Sequence, residues 1–297
     1  MKTEKNILFA FILNLCFAVL ELVGGLLTGS VAILSDAIHD FGDAASIGAS
    51  YFLERKSKRG PDLKNTYGYA RYSVLGSFIT LTLLVLGSLV LIYNAITRII
   101  TPSQINYDGM IVFAIFGVLV NLIAVFLTRD RGSLNQSAVN LHMLEDVLGW
   151  GVVLIGAIVM RFTDFAILDP IMSIGVAIFI LINSARGLKS TLDVLLENVP
   201  HEINVNEIKM HIRTLDGITD AHHFHIWSID GQHHYATMHI VTDSNPQKIK
   251  EAIREELKKY GIHHATFELE SSLDECKNKE CTPDITLHGG HCCHHHH

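Results

Sequence analysis

Six long apolar stretches occupy the first 190 residues of the chain, and each contains few charged residues. They run approximately over residues 6–28, 32–54, 74–97, 107–128, 136–160 and 167–187. Each reaches or passes the roughly 20 residues that an α-helix needs to cross a bilayer core of about 30 Å. Helices in the cores of soluble proteins are usually shorter and carry a polar face. The pattern therefore predicts an α-helical membrane protein with six transmembrane helices.

The distribution of lysine and arginine predicts the orientation of these helices. Basic residues precede the first stretch and cluster after the second, fourth and sixth, whereas only Arg98 and Arg161 fall on the other side. By the positive-inside rule, both termini are expected in the cytoplasm. The first stretch ends at "TGSVA", which offers no convincing cleavage site, so we interpret it as a retained span and not a signal peptide. The sequence thus predicts a multi-pass protein of the cell membrane.

A small soluble domain is expected after the membrane part, which we assign to residues 1–198. Composition turns polar after "LLENVP". Apolar spacing predicts, in order, a helix over 204–215, strands over 218–229 and 234–242, a helix over 246–260 and a strand over "HATFELE". This order is typical of a ferredoxin-like α+β domain, here residues 199–271. Polar and small residues dominate residues 272–297, which are expected to form a flexible tail.

Two of the apolar stretches carry the same pair of ionisable residues at helical spacing. In the second, "ILSDAIHDFGD" places His39 and Asp43 four residues apart. In the fifth, "HMLED" places His142 and Asp146 at the same separation. Residues four apart lie on one face of a helix, one turn from each other. Two helices therefore each offer an imidazole and a carboxylate, and ionisable residues inside a membrane usually mark a functional site.

Four nitrogen and oxygen ligands from two helices suit a tetrahedral divalent cation, above all Zn²⁺. Two imidazoles favour zinc, cobalt or cadmium over magnesium and calcium, which prefer oxygen ligands. Two ionised aspartates are formally neutral with one divalent cation, and protonation restores neutrality when the cation leaves. Because histidine has a reference pKa of about 6.5, exchange of one cation for about one or two protons follows. These residues predict an antiporter and not an enzyme.

Other polar residues within the spans have less defined roles. Asp36 is expected to line an outer, water-filled approach to the site. Asp40 and Glu145 have two open interpretations, as residues that support the ligands or as packing residues. Three further polar residues lie in the first and fourth spans: Asn14, Glu21 and Asn121. These are expected to hydrogen-bond across helices and not to bind the ion.

The tail combines thiols and imidazoles at a density typical of metal capture. Its candidate ligands are Cys276, Cys281, His288, His291, Cys292 and Cys293. In a reducing cytoplasm such thiols favour metal binding over disulfides. The four final histidines have a second interpretation, as an appended purification tag. The net charge of −7 comes from acidic residues of the soluble part, which argues against nucleic acid as a partner.

Several motifs together resemble one known family, the cation diffusion facilitators. The motifs are "TGSVAILSDAIHDFGD", "YGYARYSVLG", "HMLEDVLGW", "DPIMSIGVAIFIL" before "LLENVP", and "HHFHIWSI", and the resemblance runs from about residue 7 to residue 270. It implies a homodimer that exports Zn²⁺, with Cd²⁺ or Co²⁺ as further substrates, in exchange for protons by alternating access. It also implies that the ferredoxin-like domain lies at the dimer contact. The transport ligands implied by the family are His39, Asp43, His142 and Asp146.

The same resemblance implies a regulatory zinc site in the soluble domain. Its candidate ligands are His222, His239, Glu268 and Glu270. Metal bound there is expected to tighten the dimer. In the alternative interpretation, the histidine-rich strand only buffers or solvates the surface. Simple alternation along this strand would place His223 and His225 on one face and His222 on the other.

Two positions depart from the family pattern. The loop after the second span lacks histidine, so a loop zinc site found in some members retains only Asp62 and is expected to be absent or weak. The acidic residue that usually follows the "YGYxR" pattern is replaced by Ser73. Neither change touches the implied transport ligands.

Two other functions fit parts of the sequence. A membrane-anchored metal sensor or metal-binding protein would need only the soluble domain and the tail, without four ligands inside the membrane. A membrane metalloenzyme would need an open coordination position and a general base, for which Glu145 is the obvious residue. The paired ligands on two spans favour the antiporter over both.

Overall fold

The computed structural model describes residues 2–28, 31–100, 107–129, 132–162 and 168–271. The chain divides into two compact units, residues 1–192 and residues 193–297. Long helices fill the first unit: α1 (Lys2–Thr28), α2 (Val31–Ser57), α3 (Arg71–Ile100), α4 (Tyr107–Thr128), α5 (Leu134–Phe162) and α6 (Leu168–Leu195), the last of which ends in the second unit.

The long helices have the length and composition of membrane spans. Within the described residues, three segments are apolar and long enough to cross a bilayer: Thr3–Val23, Arg71–Thr97 and Leu134–Gly156. A shorter apolar segment covers Ala114–Thr128. Together with the α+β domain that follows, this arrangement confirms the predicted fold class.

The first unit exposes large apolar side chains and buries polar ones. Leu20, Phe52, Val90, Tyr93, Phe116 and Phe126 are each more than half exposed. Asn14, Glu21, Ser50, Glu54 and Asn121, by contrast, are almost completely buried. A soluble protein rarely exposes so many large apolar side chains while it buries polar ones. This distribution fits a bundle whose outer surface faces lipid.

Helices α1, α2, α4 and α5 pack around a shared apolar layer. Its buried members are Ile7, Ala10, Ile47, Ala124, Val139 and Met143. Further along the bundle, the rings of Phe17 and Trp150 meet edge to face with their centroids 5.5 Å apart. A Cβ added at Gly117 would lie 2.5 Å from the Trp150 ring, so only glycine admits α5 this close to α4. The two ligand-bearing helices are thus held in one packed group.

One buried carboxylate connects α2, α3 and α5 at the end of the bundle where α1, α3 and α5 begin. Glu54 of α2 is 3% exposed. Ser73 of α3 and Ser133, just before α5, donate hydrogen bonds to its Oε2 over 2.8 and 3.1 Å. The Nδ2 of Asn135 lies 3.4 Å from the same oxygen, and the Nζ of Lys58 lies 3.9 Å from Oε1. Ser73, which replaces an acidic residue of the family pattern, therefore donates to a carboxylate supplied by α2.

The second unit contains the predicted α+β domain. Its elements are α7 (Val205–Arg213), β1 (Asp220–Ser228), β2 (His234–Val241), α8 (Pro246–Lys258) and β3 (Ile262–Glu270). The strands form one sheet in the order β1-β2-β3, with β1 antiparallel and β3 parallel to β2. Asn204 and Asn245 cap the two helices through their side-chain oxygens. The element order of the ferredoxin-like prediction is confirmed, with boundaries that differ by one or two residues.

Both helices of this domain pack on one face of the sheet. The core there includes Ile208 and Ile212 of α7, Ile253 of α8, and Met238 and Ile240 of β2. These residues follow the periods of a helix and a strand, so the hydrophobic pattern alone specifies the packing. The opposite face of the sheet is left for polar and aromatic side chains.

A β-bulge in β1 overturns the alternation predicted for its histidines. His222 pairs with His239, but the next pair is His225 with Thr237, so two residues oppose one on β2. His222 and His225 therefore share the open face of the sheet, contrary to the prediction. His223 lies within the bulge in a left-handed backbone conformation, with φ of 51°. Its ring centroid lies 4.7 Å from that of His239.

The Glu54 contacts lead to a prediction about stability. The substitution Glu54→Ala leaves the hydroxyls of Ser73 and Ser133 without their buried acceptor, so we expect a loss of roughly 1–3 kcal/mol. Glu4→Ala is the matched control, because the described partners of Glu4 are Lys58 and Arg55, at distances of 3.7 and 3.8 Å near the surface. Thermal melting in detergent measures both variants. Equal melting temperatures for Glu54→Ala and Glu4→Ala would contradict the prediction.

Candidate metal centres

Three of the four predicted transport ligands converge inside the first unit. Asp43 of α2 and His142 and Asp146 of α5 each offer one ligand atom within 4.8 Å of the other two. The Nε2 of His142 lies 3.6 Å from the Oδ1 of Asp43. His142 is buried, and both aspartates are partly buried. The distances fit ligands around one shared cation, because metal–ligand bonds of about 2 Å separate adjacent ligand atoms by roughly 3–4 Å.

The polar atoms of this cluster are poorly satisfied by the protein. The buried Nε2 of His142 and Oδ2 of Asp146 have no hydrogen-bond partner in the described part of the chain. Buried polar atoms are normally hydrogen-bonded, so each exception calls for an explanation. A divalent cation would satisfy both atoms and balance the two carboxylates.

Helical spacing accounts for this convergence. His142 and Asp146 lie one turn apart on α5, and Asp43 lies on the side of α2 that packs toward the shared apolar layer through Ile47. His39 is one turn from Asp43 along α2. The side chains of His39 and Asp36 lie outside the described residues, so their assignments stay predictions.

Glu145 occupies the other side of the His142 ring. Its Oε2 lies 4.0 Å from the Nδ1 of His142, while Nε2 faces Asp43. A carboxylate behind a metal-binding imidazole commonly fixes its orientation and protonation. Of the two interpretations left open for Glu145, this geometry favours the supporting role. Asp40 is half-buried and does not belong to the three-residue cluster.

A second candidate cluster lies on the sheet of the C-terminal domain. His222, His239 and Glu270 each offer one ligand atom within 4.8 Å of the others. The Nε2 of His222 lies 3.4 Å from the Oε2 of Glu270, and the Nδ1 of His239 contacts the Oε1 of the same carboxylate at 2.5 Å. Glu268, the fourth predicted ligand, lies outside this three-residue cluster, with its Oε2 3.2 Å from the Nε2 of His239. The structure thus brings together three of the four predicted residues.

The environment of His222 suits a metal ligand. Its side chain is almost fully buried, and both ring nitrogens lack a hydrogen-bond partner among the described residues. Burial lowers the pKa of His222, which outweighs the opposing effect of the nearby Glu270 carboxylate. The imidazole therefore stays neutral at pH 7, and the neutral form binds metal.

The structure describes only one of the two other predicted sites. The carboxylate of Asp62 accepts hydrogen bonds from Tyr69 at 2.6 Å and from the backbone of Asn65 at 2.7 Å, which hold its pKa below the usual range. These bonds organise the loop and occupy both carboxylate oxygens. The cysteine- and histidine-rich tail lies outside the described residues.

Two features escaped the sequence analysis. Glu54 was visible as an ionisable residue inside an apolar stretch, a signal that normally indicates function. The β-bulge that brings His223 beside His239 has no sequence signal, because it depends on the register with β2.

Comparisons with known proteins cover almost the whole chain. Residues 7–196 match the family described as the cation efflux transmembrane domain, and residues 200–272 match the cation efflux protein, cytoplasmic domain. A zinc transporter named ZitB from Yersinia pseudotuberculosis is 31% identical, over 99% of this chain and 96% of the relative. A cadmium, cobalt and zinc/H(+)-K(+) antiporter from Bacillus subtilis is 32% identical, over 99% of this chain and 97% of the relative.

A third relative is the metal cation efflux system protein CzcD from Cupriavidus metallidurans. It is 32% identical, over 90% of this chain and 86% of the relative. The two matched domains, in this order, cover both compact units of the structure. The chain therefore belongs to the cation efflux family, the cation diffusion facilitators. It is a multi-pass membrane protein that carries out metal cation efflux.

Proposed function

We propose that this protein is an antiporter that exports Zn²⁺, with Cd²⁺ or Co²⁺ as further substrates, from the cytoplasm in exchange for protons. The observation that carries the proposal is the convergence of Asp43, His142 and Asp146 from two helices in a buried part of the bundle. His39, one turn from Asp43, is the proposed fourth ligand. The relatives named for zinc, cadmium and cobalt support this choice of ions.

The donor set decides between classes of cation. Imidazole and carboxylate ligands together suit zinc, cobalt and cadmium. Magnesium holds its water shell and prefers oxygen ligands in octahedral geometry, so a histidine-containing site disfavours it. Each of the two helices supplies only half of the four proposed ligands. Separation of α2 and α5 would therefore leave the cation with two ligands and allow its release.

Charge balance couples the cation to protons. Two ionised aspartates in a low-dielectric bundle are costly unless a cation or protons neutralise them. Cation binding requires deprotonated ligands, and cation release leaves them free to bind protons. In the proposed cycle, the site carries the cation to one side of the membrane and returns with bound protons. The total charge of the site then stays nearly constant. Alternating access between these two states is therefore the proposed mechanism.

The proposed orientation puts both termini and the C-terminal domain in the cytoplasm. The excess of lysine and arginine on that side supports it. Export then takes cations away from the compartment in which the C-terminal domain and tail lie. The protein is proposed to be a transporter without enzymatic activity.

The C-terminal domain is proposed to bind a regulatory zinc ion and to hold the dimer together. His222, His239 and Glu270 would hold the ion, with Glu268 beside His239. The unpartnered ring nitrogens of His222 support this assignment. A sensor without transport would have no use for the separate buried cluster on α2 and α5, so the antiporter accounts for more of the structure.

Transport in proteoliposomes tests the proposed antiport. With an imposed pH gradient, we expect the parent protein to take up radioactive zinc and the variants Asp43→Ala and Asp146→Ala to lose nearly all of this flux. Each variant removes a carboxylate that both binds metal and accepts protons. Ser88→Ala is the control, because Ser88 is buried in α3 and, among the described residues, donates its hydrogen bond to the carbonyl of Leu84 on its own helix. Unchanged flux in both aspartate variants would overturn the site assignment.

Glu145→Gln tests the supporting role of that carboxylate. The amide keeps the size of the side chain but replaces the carboxyl group beside the Nδ1 of His142. We expect zinc affinity to weaken by roughly tenfold, as is usual when the partner of a metal-binding histidine is altered. Zinc titration of the purified full-length protein measures the effect. An affinity equal to that of the parent would favour packing as the role of Glu145.

The C-terminal site makes a prediction about pH. Because burial lowers the pKa of His222 below the usual histidine value of about 6.5, protons compete with zinc for its ring nitrogens at a lower pH than at an ordinary histidine. We expect the zinc bound through His222, measured as the difference between the parent and His222→Ala, to persist at about pH 6.5 and to be lost toward about pH 5. No difference between the two proteins at neutral pH would contradict the site.

A further inference from the structure

Two buried asparagines lie in the layer of the bundle that contains the transport ligands. Asn14 of α1 and Asn121 of α4 are 3% and 2% exposed. The Oδ1 atom of each has no hydrogen-bond partner in the described part of the chain. These oxygens therefore take no part in the predicted hydrogen bonds across helices within the described residues. An unsatisfied acceptor at such depth destabilises the fold, so its presence needs a reason.

The packed layers on either side fix where these asparagines lie. On one side, Ala10, Ile47, Ala124 and Met143 pack together in the shared apolar layer. The next helical turn, in the same direction along all four helices, carries one polar residue on each helix. These are Asn14 on α1, Asp43 on α2, Asn121 on α4 and Asp146 on α5. Each of these four positions is three or four residues from its apolar counterpart, which keeps it on the same helix face.

The next turn in the same direction is also defined by contacts. Phe17 lies three residues beyond Asn14, Trp150 lies four beyond Asp146, and Gly117 lies four beyond Asn121 on the antiparallel helix. Phe17 meets Trp150 edge to face, and Gly117 lies against the same indole. The two asparagines and the two aspartates are thus enclosed between an apolar layer and an aromatic layer. On α2 the corresponding outer position is His39.

We propose that Asn14 and Asn121 bind the transported cation through their side-chain oxygens, directly or through one water molecule of its hydration shell. This inference rests on the proposed transport function and extends its site from two helices to four. Carboxamide oxygens bind divalent cations and accept hydrogen bonds from metal-bound water. They add no charge, so the balance between two aspartates and one divalent cation is kept. The cation would satisfy the two acceptors that the protein leaves without partners.

A ligand role and a structural role predict opposite effects on stability. Leucine has the same branching and the same number of side-chain heavy atoms as asparagine but lacks polar atoms. If the oxygens serve the cation, Asn14→Leu and Asn121→Leu remove an unsatisfied acceptor, so melting in a chelator should occur at an unchanged or higher temperature. Zinc affinity should weaken by on the order of tenfold. If the asparagines only join helices, the melting temperature should fall and zinc affinity should stay the same.

The experiment combines zinc titration with thermal melting of the full-length protein in detergent. Asn14→Asp and Asn121→Asp keep an oxygen acceptor and are expected to bind zinc at least as tightly as the parent, while Ser88→Ala should match the parent in both measurements. If a leucine variant does not fold, Asn14→Ala or Asn121→Ala replaces it. Zinc affinity equal to the parent in both apolar variants overturns the inference. If the parent's zinc binding is itself insensitive to Asp43→Ala and Asp146→Ala, the proposed function fails instead.

Discussion

The cost of placing ionised carboxylates inside an apolar helix bundle governs the rest of this structure. Asp43 and Asp146 meet near His142 in a partly buried position, where water screens their charges less than at the surface. A divalent cation or protons can neutralise the pair, and either choice excludes the other. Exchange of metal for protons thus follows from charge balance, with no need for a separate coupling device. Around the site, Phe17 of α1 and Gly117 of α4 pack against Trp150 of α5, and Gly48 of α2 packs against Phe11 of α1.

Buried carboxylates in this bundle differ in whether the protein supplies hydrogen-bond partners for them. Glu54 is surrounded by donors from Ser73, Ser133 and Asn135, so the protein itself stabilises its charge. His142 and Asp146 instead retain buried atoms without partners. The first arrangement suits a fixed connection between helices, and the second suits a site that a mobile ion must fill. In the C-terminal domain, both ring nitrogens of His222 likewise lack a hydrogen-bond partner among the described residues.

Much of the fold and part of the candidate site could be predicted from the sequence, because these features depend on local periodicity. Apolar length predicted the long helices, spacing of four predicted the approach of His142 and Asp146, and alternation predicted the sheet. What depends on register or on distant packing could not be predicted. The bulge at His223 is set by pairing with β2, and the partners of Glu54 come from two other helices. The unsatisfied oxygens of Asn14 and Asn121 required all four helices to be placed, since the sequence alone favoured hydrogen bonds between them.

The central claim is that one buried site exchanges a divalent cation for protons. Its most direct test is the number of protons released per zinc ion bound, obtained by calorimetric titration in buffers of different ionisation enthalpy. Subtracting the same measurement on the Asp43→Ala/Asp146→Ala double variant isolates the site on α2 and α5. We predict a difference of about one or two protons for each zinc ion bound there. Zinc binding at this site without any release of protons would contradict the account.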